Sequence, residues 1–218
     1  MSWTKEKSLG KIRSVGLIPI VRAPSSEDAS LAAEAIIRGG IGIAEITMTV
    51  PRALQVMEQV AEKYGGDVLL GAGTILDTET CRAAILAGAE FIVTPSLDVR
   101  VIEMAHRYSK PCFPGTLTPT EVVTAWQAGA DMVKIFPCGP VGGPQYIKAL
   151  KGPLPHIDMV PTGGVSLDTA VPFIKAGATA IAVGSELVDL KALREGKLEV
   201  VTGRSKQFLE AVRSAKEQ

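Results

Sequence analysis

The stretch Ala128-Gly129-Ala130-Asp131-Met132-Val133-Lys134-Ile135-Phe136-Pro137 decides the fold. It reads as the end of a helix, a small-residue turn and a short apolar strand. The same unit recurs as Arg38-Gly39-Gly40 before IGIAEIT (41–47), as Ala87-Gly88-Ala89 before EFIVTP (90–95), and as Ala176-Gly177-Ala178 before TAIAVGS (179–185). The glycines fall at helix C-cap positions. An interval of roughly 40–50 residues corresponds to two strand–helix units per repeat.

Reading outward from these units gives eight strands, near Leu17–Arg22, Ile41–Thr47, Val68–Gly73, Phe91–Pro95, Cys112–Gly115, Met132–Pro137, Ile157–Thr162 and Ala180–Gly184. Helical patterns separate them. Ser25 or Ser26 caps a helix over Glu27–Arg38, and Arg52–Tyr64 follows Pro51. Asp77, Ser96 and Thr118 are further cap candidates. Strands alternating with helices imply parallel pairing, and eight units predict an α/β fold, a (β/α)8 TIM barrel. The competing arrangement is an open doubly wound sheet, but no GxGxxG follows the first strand. An extra N-terminal helix over Thr4–Ser14 would cover the barrel floor, and Leu198–Lys216 reads as a closing helix. One domain over residues 1–218 is expected.

The 218 residues carry 23 Lys and Arg against 23 Asp and Glu, a net charge of zero. That balance argues against nucleic-acid or membrane-surface partners, which call for a basic patch. Mean hydropathy is +0.24, yet no uncharged apolar run reaches the ~18 residues of a membrane span. The N-terminal Met1–Lys7 lacks the apolar centre of a signal peptide. Three cysteines without CxxC spacing suit a reducing, cytoplasmic setting.

Two charges interrupt strands that should be apolar on both faces: Glu45 in IAEIT and Lys134 in MVKIFP. Alternation places Glu45 with Ile43 and Thr47, and Lys134 with Met132 and Phe136. Pointing inward, both would sit near the C-terminal mouth, where barrel active sites form. A static ion pair filling the barrel is the bland alternative. The functional reading is a desolvated lysine nucleophile with a carboxylate to move protons. Thr162-Gly163-Gly164 and Gly184-Ser185 end the seventh and eighth strands, where barrels often bind phosphate through backbone N–H groups. Gly71-Ala72-Gly73-Thr74 ends the third strand and could hold a carboxylate, and Arg22 at the end of the first is a candidate anion partner. His106 and His156 sit away from strand C-termini and read as surface residues, with no HxH or HExxH motif, so no metal and no cofactor are expected. Cys138 lacks a histidine to activate it.

Taken in order, Glu45-Ile46-Thr47, GAGT (71–74), Thr94-Pro95, PGTLTPTE (114–121), VKIFP (133–137), GPQYIKALKGP (143–153), PTGGV (161–165) and GSELV (184–188) resemble the 2-keto-3-deoxy-6-phosphogluconate aldolase family. That family includes the 4-hydroxy-2-oxoglutarate aldolases, and the resemblance spans about Ile12 to Ala211. It implies a metal-independent class I aldolase, usually a homotrimer, that cleaves a phosphorylated 2-keto-3-deoxy sugar acid to pyruvate and glyceraldehyde 3-phosphate. By the resemblance, Lys134 forms the Schiff base and Glu45 is the general acid/base. Thr74, with the Gly73–Thr74 backbone, binds the pyruvyl carboxylate, Pro95 and Phe136 line the pyruvyl pocket, and Gly163, Gly164 and Ser185 bind phosphate. Some members have an arginine four residues after the glutamate. This chain has Thr49 there, leaving Arg22 as the candidate cation. The galactonate epimer and unphosphorylated 4-hydroxy-2-oxoglutarate are alternative substrates. A phosphate-binding isomerase without imine chemistry and a non-catalytic sugar-phosphate binder are the alternatives outside the family.

Overall fold

The computed structural model describes residues 3–217. Met1, Ser2 and Gln218, the outermost ends of the expected domain, lie outside the described residues. In chain order the elements are α1 (Lys5–Val15), β1 (Leu17–Val21), α2 (Ser26–Arg38), β2 (Ile43–Thr47), α3 (Ala53–Tyr64), β3 (Leu69–Gly73) and α4 (Thr78–Leu86). There follow β4 (Phe91–Val93), α5 (Val99–Arg107), β5 (Cys112–Phe113), β6 (Gly115–Thr116), α6 (Pro119–Gln127), β7 (Val133–Ile135) and α7 (Pro144–Lys151). The chain ends with β8 (Met159–Pro161), α8 (Leu167–Lys175), β9 (Ile181–Val183), α9 (Leu190–Arg194) and α10 (Leu198–Lys216).

Every strand pairing is parallel. The order is β5-β4-β3-β2-β1-β9 in a six-stranded sheet and β6-β7-β8 in a three-stranded one. The molecule is therefore α/β, with a curled parallel sheet covered by the intervening helices. The strands are buried along their whole length, because helices cover the outward face of a parallel sheet while its inner face packs on the core.

The expected unbroken strand over Cys112–Gly115 is corrected: it splits into β5 and β6 at Pro114. Proline has no N–H to give a ladder, so pairing stops there. The Gly115 N–H just beyond donates instead to Thr94 Oγ1 at 3.0 Å. Main-chain links also cross between the sheets: Asp131 N–H donates to the Cys112 carbonyl at 3.2 Å and Thr179 N–H to the Met159 carbonyl at 2.9 Å, and a parallel bridge joins Thr162 to Ala182.

The helix caps follow local chemistry. Ser25, Asp77 and Thr118 accept from the backbone N–H three residues on, and Thr118 forms a capping box with Glu121. The expected cap at Ser96 is corrected to Asp98, which accepts the Arg100 N–H at 2.9 Å. A carboxylate is the stronger acceptor and complements the positive helix end. The repeat glycines Gly40, Gly88, Gly129 and Gly177 sit two residues beyond the helix ends, one past the cap. Gly129, at φ 93°, occupies the left-handed region that a side chain would resist.

A contiguous apolar core runs from Ile12 to Ala215. Helix α1 is fastened to the loops before β7 and β8 by Lys5 Nζ–Asp131 at 2.8 Å and Arg13–Asp158 at 2.9 Å. Asp131 also accepts from the Cys112 N–H and bonds His106 Nε2, both at 3.1 Å. His106 is thus half-buried rather than a plain surface histidine. His156 is exposed, with its ring edge-on to Trp126. No helix among the described residues is long and apolar enough to cross a membrane.

Candidate active site

Parallel pairing brings the strands' C-terminal ends together. Glu45 lies in the middle of β2 and Lys134 in the middle of β7, 1% and 5% exposed. Their environment disfavours both charges. Burial raises the Glu45 carboxyl above its ordinary range, partly opposed by the positive charges of Lys134 and Arg22. Burial lowers the Lys134 ammonium; the Glu45 carboxylate opposes this shift and Arg22 reinforces it. Each residue senses the other's charge, yet neither enters an ion pair among the described residues. Lys134 Nζ sits 5.0 Å from the centre of the Phe136 ring. Glu45 Oε2 is buried without a hydrogen-bond partner. Glu45 Oε1 packs on Gly73, where any side chain would overlap it. A lysine held toward its neutral form beside an unpaired carboxyl can attack a carbonyl and exchange protons with the adduct.

The backbone around Lys134 is firmly held. Gly115 is its register partner. The Lys134 N–H donates to the Pro114 carbonyl at 2.9 Å, and Thr116 Oγ1 donates to the Lys134 carbonyl at 3.1 Å. A side chain at Gly115 would strike the Pro95 main chain, so Pro95 stands one strand away from the lysine. Thr74 follows Gly73 with φ 60°, a sparsely populated conformation for a β-branched residue. Such strain concentrates at ligand sites.

Beside this pair opens a cavity of about 410 Å³, lined among others by Arg22, Phe136, Gly163, Gly164, Gly184 and Ser185. Gly163 and Gly164 have φ of 81° and 78°, and a side chain at Gly164 would stand 2.6 Å from Gly139 Cα. The glycine pair leads directly into the Ser166 cap of α8. Backbone N–H groups at a glycine turn before a helix N-terminus form an anion site. Arg22 is exposed and has no hydrogen-bond or ion-pair partner among the described residues.

The structure thus gathers Arg22, Phe136, Gly163, Gly164, Gly184 and Ser185 around one cavity. Glu45, Lys134, Gly73, Thr74 and Pro95 are not in its lining. Lys134 and Glu45 adjoin it through Phe136 and the charge of Arg22. Thr162, named with the glycine pair, also lines it, as do Ser166 and Glu186, which were missed as ligand residues. Ser166 carries a legible signal, a capping serine before an apolar-periodic run. Glu186 carries none, being an exposed acid in a loop. Burial pushes the Cys138 thiol up to about 11, which removes it as a nucleophile.

Known proteins share this arrangement of sequence and fold. The 2-dehydro-3-deoxy-phosphogluconate aldolase of Treponema pallidum (strain Nichols) is 33% identical, covering 92% of this chain and 95% of its own. The 2-dehydro-3-deoxy-6-phosphogalactonate aldolase of Escherichia coli (strain K12) is 36% identical, covering 91% and 95%. A solved structure described as native KDPGal superposes with a TM-score of 0.84 at 33% identity, over the whole of both chains. A family model described as KDPG and KHG aldolase matches residues 9–203. With that match spanning the lysine, the carboxylate and the glycine cradle alike, the chain belongs to the KDPG and KHG aldolase family.

Proposed function

We propose that this protein is a class I aldolase that cleaves 2-dehydro-3-deoxy-6-phosphogluconate to pyruvate and D-glyceraldehyde 3-phosphate. The observation that carries the reading is a buried lysine and a buried carboxyl that sense each other without pairing, beside an anion cradle. Neutral Lys134 attacks the C2 ketone, and Glu45 delivers the proton that lets the carbinolamine lose water. The Glu45 carboxylate then takes the C4 hydroxyl proton. The C3–C4 bond breaks, its electron pair moves through C3 to the iminium nitrogen, and the aldehyde leaves. Glu45 returns the proton to C3 of the enamine, and water hydrolyses the imine to free pyruvate. A carboxyl whose proton affinity is raised by burial is suited to both directions of transfer.

In this reading Thr74 and the Gly73–Thr74 backbone hold the pyruvyl carboxylate, while Pro95 and Phe136 line the pyruvyl pocket. Gly163, Gly164, Gly184 and Ser185 hold the phosphate, with Arg22 supplying charge. The 36% identity to the galactonate enzyme of E. coli supports 2-dehydro-3-deoxy-6-phosphogalactonate as the second reading.

The same proposal takes the fold as a closed (β/α)8 barrel in a single domain. The Thr162–Ala182 bridge and the Thr94–Gly115 bond support closure. Helix α1 is then the extra N-terminal helix on the floor. A cytoplasmic homotrimer acting without metal or cofactor completes the reading.

The test is borohydride reduction in the presence of pyruvate, followed by peptide mass mapping. A pyruvyl adduct on Lys134, absent from Lys134→Ala, is expected. A folded protein that yields no adduct at saturating pyruvate would overturn the reading.

A further inference from the structure

Two hydroxyls outside the cavity lead back to it. Thr47 ends β2 and is 1% exposed, and its Oγ1 donates to the Val21 carbonyl at 3.1 Å. The Thr49 hydroxyl lies 2.8 Å from Thr47 Oγ1. A hydroxyl carries a single proton, and a carbonyl only accepts. Thr47 has therefore spent its proton on Val21, and Thr49 must be the donor to Thr47. The relay runs in one direction, from Thr49 through Thr47 to the Val21 carbonyl.

That carbonyl belongs to the peptide joining Val21 to Arg22. Val21 is the last residue of β1, paired with Ile46, and Arg22 is the first residue beyond the strand. The Thr47 bond thus fixes the plane of the peptide from which Arg22 springs, where the strand no longer does. Arg22 is among the residues that line the cavity with the two glycine turns, and its side chain has no partner among the described residues to hold it from its far end. The backbone therefore sets only where its side chain departs from the chain. Thr49, having given its proton to Thr47, keeps only acceptor lone pairs, so it does not bind an anion itself.

We infer that Thr47 and Thr49 are positioning residues that fix the backbone from which Arg22 reaches toward the phosphate end of the ligand. The inference rests on reading the cavity as a phosphate cradle; it does not require imine chemistry.

Binding of inorganic phosphate to the full chain, followed by titration calorimetry, tests it. Thr47→Val and the exposed Thr49→Val should each weaken phosphate about three- to tenfold, as expected when a charge-assisted bond loses its alignment. Thr47→Ser, which keeps the hydroxyl, should restore the affinity. In an Arg22→Gln background both valine variants should have no further effect, since the relay then has nothing to aim. The same variants should raise KM for the phosphorylated substrate while moving half-saturation by pyruvate, read by borohydride inactivation, less than twofold. Unchanged phosphate affinity in Thr49→Val, an equal loss with and without Arg22, or no phosphate binding by the unaltered protein overturns the relay. Phosphate binding that behaves as described without a pyruvyl adduct would instead sink the aldolase reading and leave the relay standing.

Discussion

Lys134 and Glu45 depart from ordinary titration in opposite directions for one reason, burial. The borohydride trapping rate should therefore rise with pH about a midpoint below the ~10.4 of an ordinary lysine. Glu45→Gln removes the carboxylate that holds the lysine's proton, so the midpoint should fall further. Arg22→Gln removes a repelling cation, so it should rise. Glu45→Gln should also slow trapping about a hundredfold or more, as loss of a general acid/base does, without abolishing the adduct. Stability carries the same signature. The folded lysine binds its proton more weakly than the unfolded one, so between the two pKa values the unfolded chain holds more protons. Stability then rises with pH across that window. Lys134→Met should flatten this rise in urea unfolding measured at several pH values. Both residues were legible because a charge inside an apolar strand violates the pattern around it. Arg22 was legible only as a candidate, because nothing in a linear sequence says where an unpaired guanidinium points.

Among the elements, the strand expected over Cys112–Gly115 differs from expectation at a proline. Pro114 falls between β5 and β6, and the pairing is interrupted there. Hydropathy sees an apolar residue there; the ladder sees a missing donor. The repair at Pro114 falls to Thr94, whose hydroxyl accepts the Gly115 N–H. No local pattern announces that bond, which spans 21 residues. Thr94→Val should leave that buried N–H unsatisfied and lower stability by about 1–3 kcal/mol, seen as a reduced urea midpoint. The glycine cradle was readable because Gly163 and Gly164 stand together at a strand end. Gly164→Ala forces a side chain into a left-handed position against Gly139. It should weaken phosphate binding at least tenfold by calorimetry while the pyruvyl adduct still forms.

On the scale of the whole molecule, Asp131 receives donors from three separate elements: Lys5 of α1, His106 of α5 and the Cys112 N–H of β5. Asp131→Asn removes the charge at this junction and should destabilise the fold by about 2 kcal/mol, measured by urea unfolding. The division into a six-stranded and a three-stranded sheet has a further consequence. Lys134 stands on the smaller sheet, Glu45 on the larger one, and Arg22 just beyond β1 of the larger one. The cradle is split the same way, Gly163 and Gly164 following β8, Gly184 and Ser185 following β9. A ligand filling this site is a staple across a seam. Hydrogen–deuterium exchange should register it as protection appearing together on both sides: in β7 and β8, and in β1, β2 and β9. Protection confined to one sheet would show that the ligand does not bridge the two.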